Sequence, residues 1–308
     1  MDINGEAIEF NDTTQILLQI VLGFIIFGVA LDIKLADFKQ VAQNPKGAVV
    51  GLGMQFLLFP ALTFLLIWVA SLSPSTTIYP SVALGMLLVA ACPGGNMSNF
   101  FSHLAGGNTA LSVCMSAIST LAAVVMTPFN FAFWGSMLPE TNALLQDVSI
   151  SFWAMLQTIT ILLGIPLAIG MLLSHYAPVL ASKMQKPMKI ISISLFAIII
   201  IGALGANYQL FLKYIGTFAI VVAIQNLLGL GLGYWGAKAI GLPEKDCRTV
   251  SIEVGIQNSA LGLILYFQYF NELSGIGIIT AWWGVWHMIS GLSLATYWQR
   301  KSRKKQLE

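Results

Sequence analysis

Glu253 lies inside a long apolar run, in the stretch Glu253-Val254-Gly255-Ile256-Gln257-Asn258. A second polar, glycine-containing interruption, Pro93-Gly94-Gly95-Asn96-Met97-Ser98-Asn99, breaks an earlier apolar run. A carboxylate within a membrane span costs roughly 3 kcal/mol on insertion scales, so it is retained for function by default. Oxygen ligands suit a hard cation such as Na⁺: Glu253 supplies charge, while Gln55, Gln257, Asn99, Ser98 and freed carbonyls supply neutral oxygens. Ser112 and Ser116 are spaced i, i+4, so a helix puts both on one face, with Ser119 and Thr120 following. The bland alternative is that membrane serines allow close packing or bond the i−4 carbonyl. A lone carboxylate and a broken helix nearby weigh towards a site.

The interruptions also suit an anion. Pro93 removes a backbone donor and clashes with the preceding turn, and Gly94 and Gly95 add freedom, so the helix should unwind there. It should restart near Asn96 or Ser98. The second break, at Gly255, should restart at Asn258 or Ser259; Ser and Asn are good N-caps. Each restarting half-helix offers free N–H groups and a positive dipole end, which suit a carboxylate. Asn96 and Asn258, at these starts, are therefore candidate substrate contacts.

The elements holding these residues must be membrane helices. The chain has 308 residues, is 57% hydrophobic and only 9% charged, and has a mean hydropathy of +0.80. Soluble domains carry about 25% charged residues. A span needs about 20 apolar residues. Nine are predicted, at 13–31, 47–70, 81–104, 108–134, 150–174, 190–212, 215–240, 249–270 and 274–299, in one transmembrane domain over 1–308. Net charge is +2, too small to suggest a nucleic-acid partner. Cys92, Cys114 and Cys247 have no metal or disulfide spacing and read as small buried hydrophobes. The first dozen residues carry Asp2, Glu6, Glu9 and Asp12 and no Lys or Arg, the opposite of a signal or transit peptide.

Basic residues orient the bundle. Lys34, Lys39, Lys46, Lys183, Lys186, Lys189, Lys238, Lys245, Arg248, Arg300, Lys301, Arg303, Lys304 and Lys305 fall on one side; Lys213 alone falls on the other. This predicts an external N-terminus and a cytoplasmic C-terminus. The stretches near 71–80 and 135–149 lack Lys and Arg, as external loops should. The two broken segments are the third and eighth spans, so they enter the membrane in opposite directions, the mark of an inverted repeat. Gln55 precedes the first break by one helix, as Gln225 and Asn226 precede the second. A five-helix repeat gives ten spans, so nine reads as 4+5, with the first helix missing.

With these motifs in view, the chain resembles the bile acid:sodium symporter family. The matching stretches are Cys92-Pro93-Gly94-Gly95-Asn96-Met97-Ser98-Asn99, Gly107-Asn108-Thr109-Ala110-Leu111-Ser112, Glu253-Val254-Gly255-Ile256-Gln257-Asn258, Val285-Trp286-His287, and Asn44-Pro45-Lys46-Gly47 leading to Met54-Gln55-Phe56. The resemblance implies alternating access between a panel (13–70 and 150–212) and a core (81–134 and 215–299) containing two broken, crossing helices. It implies one Na⁺ at Ser98, Asn99, Ser112, Ser116 and Glu253, and a second at Gln55, Glu253, Gln257 and the carbonyls of Val254 and Ile256. It places Gly94, Asn96, Asn258, His287 and Met288 around the substrate. Ser116 stands where Thr is common in the family. Asn96 stands where some members have Thr, and Met288 where some have Asn.

The expectation is an all-α integral membrane protein of the cell membrane, plasma or inner. It would be a secondary active symporter carrying an organic anion, bile acid-like or a small carboxylate, inward with Na⁺. Two Na⁺ would be coupling ions, with no cofactor and no enzymatic activity. The competing readings are a porter of the same fold for another anion and a sodium/proton antiporter, which would want a second intramembrane acid or a lysine. A channel would want a repeated carbonyl filter. An enzyme would want a nucleophile and base, and His103, His175 and His287 have no such partner by spacing. His287 reads first as a packed or hydrogen-bonded histidine. The Trp282-Trp283 pair reads as an interfacial anchor. The Arg300–Lys305 tail reads as a topology determinant that also touches anionic lipid.

Overall fold

The computed structural model describes residues 12–31, 39, 42–43, 45–72, 78–95, 97–148, 152–206 and 208–307. The named elements among them are all helices: α1 (Asp12–Ala30), α2 (Lys46–Ser71), α3 (Pro80–Ala91), α4 (Ser98–Leu104), α5 (Thr109–Ser136), α6 (Pro139–Val148), α7 (Phe152–Tyr176), α8 (Pro178–Ala206), α9 (Tyr208–Ala239), α10 (Glu244–Gly255), α11 (Ser259–Tyr269) and α12 (Ser274–Leu307). Among the described residues, five segments are long and apolar enough to cross a membrane: Lys46–Ser71, Thr109–Ser136, Phe152–Tyr176, Phe218–Ala239 and Ser274–Arg303. Gln19–Gly28, Pro80–Ala91 and Ser259–Tyr269 are shorter apolar helices. Large apolar side chains such as Leu65, Trp68, Phe129, Phe133, Trp153, Ile161 and Trp235 stand on the outside, as in a multi-pass membrane protein, where lipid solvates them.

Two helices widen into a π-turn, α2 at Met54–Leu58 and α7 at Thr160–Gly164. Each π-turn is followed directly by a proline within the first two residues of the resumed α-helix, Pro60 or Pro166. A proline supplies no N–H to the carbonyl four residues back. In α2 that carbonyl belongs to Phe56, and Asn130 of α5 donates to it at 3.0 Å. The widened turn carries Gln55, buried towards the middle of the molecule.

Close packing gathers the helices into two groups, which also touch each other through α5 on α7 and α1 on α11. In one, α1 lies against α7 and α8, which also touch each other. In the other, α3 and α12 pack together, α9 packs along α10, and α4 and α5 pack on each other and on α10. Helix α2, which the family resemblance groups with 13–31, packs against α3, α5, α9 and α10. Its length and hydropathy carry no information about which neighbours it meets.

Other boundaries also differ from those that hydropathy suggests. The stretch 135–149, expected as an external loop, contains α6, whose Glu140, Thr141, Asn142, Gln146 and Asp147 make it too polar to stand out as a span. Helix α8 begins at Pro178, so Lys183, Lys186 and Lys189 lie on a helix and not in a loop, and Pro187 falls inside it. The boundary expected at 213–214 falls inside α9. Hydropathy reports where lipid is, not where backbone hydrogen bonding stops. Trp283, expected as half of an interfacial anchor, is fully buried and its ring lies 6.4 Å from that of Phe59. All three cysteines are buried, as expected.

Candidate functional site

The two interruptions meet. Helix α3 stops at Ala91, Cys92 turns to extended backbone, and α4 begins at Ser98. Helix α10 stops at Gly255 and α11 begins at Ser259. Between them Gly94 and Gln257 form an antiparallel bridge. Gly95 N donates to Ile256 O at 2.6 Å, and Asn258 N donates to Pro93 O at 2.9 Å. Each broken strand thus supplies the backbone partner the other lacks, as a lipid environment demands. Only glycine permits this approach: a Cβ on Gly95 would lie 2.7 Å from Gln257 O, and one on Gly94 would lie 2.9 Å from Glu253 Oε2. Side chains take further carbonyls around the breaks. Thr127 donates to Ala91 O, Gln55 to Cys92 O and Asn226 to Gly255 O, each at 2.8 Å.

Glu253 sits beside this crossing and is 2% exposed. Its carboxylate accepts hydrogen bonds from Ser112 Oγ and, at 3.0 Å, from Ser116 Oγ. Asn99 Oδ1 accepts from the same two hydroxyls, at 2.8 Å and 3.2 Å. Ser98 Oγ lies 3.2 Å from Ser116 Oγ. Each serine has one proton to give, so three hydroxyl protons are shared among five close oxygen contacts. A cluster of oxygens with too few protons is a fitting cage for a cation, and these are the hard donors Na⁺ takes. All five residues expected around one ion are therefore together. Among the described residues no three of His, Cys, Asp and Glu gather as a softer metal would need.

The second expected set is also gathered, but differently. Gln55 Nε2 donates to Gln257 Oε1 at 2.8 Å, and Gln257 Nε2 returns a bond to Gln55 Oε1 at 3.2 Å. Gln257 Nε2 also donates to Val254 O at 2.5 Å, and Ile256 O accepts from Gly95 N. The hydrogen bonds of Glu253 run to Ser112 and Ser116, while Gln55 and Gln257 bond each other.

Asn258 caps α11, its side-chain oxygen accepting from Leu261 N at 3.1 Å, as the restart at that residue requires. Its amide nitrogen is buried without a partner, and so is Ser259 Oγ. The first break restarts at Ser98, one of the two expected places, but without a side-chain cap. Met97 holds the N-cap position of α4 with no side-chain bond, and Ser98 Oγ turns to Ser116. Asn96 lies outside the described residues. On α12, Thr280, His287 and Gly291 share a face: Gly262 approaches Thr280, and Gly291 approaches Ile256 and Phe101. His287 lies on the helix between those two contacts, and its Nδ1 is buried without a partner. Met288 packs beside Phe101, Ile252 and Ile256. A cavity of about 200 Å³ lined by Phe131, Leu145, Phe152 and Met155 shares no residue with this site.

Asn226, noted in the sequence for its place before the second break, takes a carbonyl there; sequence reasoning missed Thr127, which takes one at the first break, and Thr249 and Asp246, which bond to Asn108. At the end of α10, burial raises the Glu244 carboxyl, but hydrogen bonds from Arg248 and Tyr234 outweigh it and hold the group below the usual range.

Residues 19–214 match the sequence profile of the Sodium Bile acid symporter family, a match that ends before the second crossing segment. The chain is 32% identical over 290 residues, 94% of its length and 85% of the other's, to the "Uncharacterized sodium-dependent transporter YocS" of Bacillus subtilis (strain 168). It is 31% identical over 300 residues (97% and 70%) to the "Probable sodium/metabolite cotransporter BASS1, chloroplastic" of Arabidopsis thaliana. It is 29% identical over 259 residues (82% and 70%) to the human "Ileal sodium/bile acid cotransporter". This chain belongs to the Sodium Bile acid symporter family.

Proposed function

We propose that this protein is a secondary active symporter that carries an organic anion inward with Na⁺ by alternating access. The observation carrying the reading is Glu253, buried among hydroxyl and amide oxygens beside two crossing broken helices. The names of the relatives, sodium-dependent transporter and sodium/metabolite or sodium/bile acid cotransporter, point the same way. In this reading nine spans form the domain, and the helices of the site, with α2 among them on its packing, move against α1, α7 and α8. One Na⁺ takes Ser98, Asn99, Ser112, Ser116 and Glu253. The second takes Gln55, Gln257, Glu253 and the carbonyls of Val254 and Ile256, which requires Gln257 to release Val254 O.

Two Na⁺ with a monoanion move one net positive charge inward, driven by about 2.3 kcal/mol per 100 mV. The test is uptake into proteoliposomes of labelled bile acids and small carboxylates under an inward Na⁺ gradient. Accumulation should vanish when K⁺ replaces Na⁺ and should grow with an inside-negative potential. Uptake that ignores the replacement would refute symport.

The substrate carboxylate binds at Asn258 and His287. An orphaned buried polar group costs about 1–3 kcal/mol, and here Asn258 Nδ2, Ser259 Oγ and His287 Nδ1 are three such groups. Asn258→Ala should weaken substrate binding about tenfold, from one lost hydrogen bond to a charged group. The Na⁺-induced rise in melting temperature should persist. Loss of that rise would make Asn258 an ion ligand instead.

The N-terminus lies outside and the C-terminus in the cytoplasm. Cysteine placed at Glu272, in the exposed turn between α11 and α12, should react with an impermeant maleimide on intact cells. Cysteine at the exposed Lys245 should react only after permeabilisation. The reverse pattern would invert the topology.

A further inference from the structure

Sodium affinity depends on how deep Glu253 stands relative to Ser112 and Ser116, and the next rung between the same two helices fixes that depth. Along α5 and its cap, Asn108, Ser112 and Ser116 are one turn apart; along α10, Thr249 and Glu253 are one turn apart. Glu253 meets Ser112 and Ser116, and one turn earlier Thr249 meets Asn108. The fully buried Thr249 hydroxyl accepts from Asn108 N at 2.8 Å and donates to Asn108 O at 3.2 Å. It thereby grips both polar groups of the main chain at the cap of α5. Asn108 Nδ2 donates to Asp246 Oδ1 at 2.9 Å. Arg248 Nη1 donates at 2.8 Å to the carbonyl of Ala105, which ends α4, the helix bearing Ser98 and Asn99. The approach leaves no slack, since a Cβ on Gly107 would lie 2.6 Å from Thr249 Oγ1 and 3.0 Å from Ser102 O.

We propose that Thr249, with Asp246 and Arg248, is a positioning residue that sets Na⁺ affinity by locking α10 in register with α4 and α5. This rests on the sodium reading of Glu253. None of the three touches the ion. Ligands must be held within about 0.5 Å of their working geometry, and a hydroxyl that closes two bonds on one residue's main chain can do that where a purely apolar contact would slide.

The experiment uses the full-length purified protein and measures melting temperature against Na⁺ concentration, with choline keeping ionic strength constant. Thr249→Val keeps the shape and removes the hydroxyl. Stabilisation grows with the logarithm of ligand concentration above Kd, so the Na⁺ concentration at which the melting temperature begins to climb should rise about 5–10-fold, when part of the two hydrogen bonds lost is felt at the ion site. Thr249→Ser should restore it. A merely structural threonine would lower melting equally in choline and in Na⁺, leaving the onset concentration in place, and that result overturns the proposal. So does an onset that Thr249→Ser fails to restore. If Thr249→Val does not fold, Asp246→Ala at the half-buried end of the same clamp decides it: its onset should also rise, and an unchanged one refutes the clamp. A wild type without any Na⁺ shift would instead remove the sodium reading and the clamp with it.

Discussion

Glu253→Gln should abolish Na⁺-driven uptake while leaving the protein folded and inserted. The substitution keeps the side chain's shape and its bonds with Ser112 and Ser116, so packing around the crossing should survive. What it removes is the formal charge facing the cations. Breaking a buried charge pair by removing one partner costs about 3–5 kcal/mol. At about 1.4 kcal/mol per tenfold, that is a loss of roughly two to three and a half decades in Na⁺ affinity. Binding of a ligand to the native state stabilises it by RT ln(1 + [L]/Kd). The Na⁺-induced rise in melting temperature should therefore disappear together with uptake. Glu253→Ala should behave the same way and melt lower. Uptake by Glu253→Gln at the wild-type rate would sink the two-ion reading.

Gly95→Ala should be the most damaging glycine substitution at the crossing. Its new Cβ would stand 2.7 Å from Gln257 O and 3.1 Å from Gln257 C, both backbone atoms that cannot rotate away. Relief requires the two broken strands to part, which also strains the bond from Gly95 N to Ile256 O. Overpacking of this kind costs about 1–3 kcal/mol, and loss of the crossing geometry should eliminate uptake. Gly53→Ala is the natural control. A Cβ at Gly53, inside α2, meets nothing within 4 Å, and a helical Gly→Ala change is worth about 1 kcal/mol in the favourable direction. The melting temperatures of the two variants should move in opposite directions. A Gly95→Ala protein that melts and transports like wild type would show that the crossing is not as tight as described.

Much of the site was readable because its residues are costly where they stand. A carboxylate, a proline followed by two glycines, and serines at i, i+4 all sit badly in apolar helices, and each lies where Glu253, Ser98, Asn99, Ser112 and Ser116 gather. Asn258 was legible as a cap because that role needs only local chemistry. At the first break Asn96 and Ser98 both read as caps; the helix does start at Ser98, but Met97 holds the cap position with no side-chain bond, since the break is pinned by backbone bonds to Ile256 and Asn258 and not by a local cap. The membership of α2 was illegible because apolar surface looks alike whichever helix covers it. Thr249 and Asp246 escaped notice for the opposite reason: polar residues in the first turns of α10 look like ordinary solvated helix-end residues until Asn108 is brought beside them. Hydropathy likewise concealed α6, a polar helix between two spans.

The bridge between the two breaks has a consequence for how the protein is made. Pro93 O and Gly95 N find their partners at Asn258 and Ile256, which a ribosome produces only after several further spans have left it. The first broken segment must therefore enter the bilayer with these backbone groups unpaired, or wait at its surface or beside the insertion machinery until the second arrives. In biogenesis the site is then the last part to close, and the crossing acts as a checkpoint that a truncated or mis-inserted chain cannot pass. Chains halted before α10 should accordingly remain open to proteolysis at the first break.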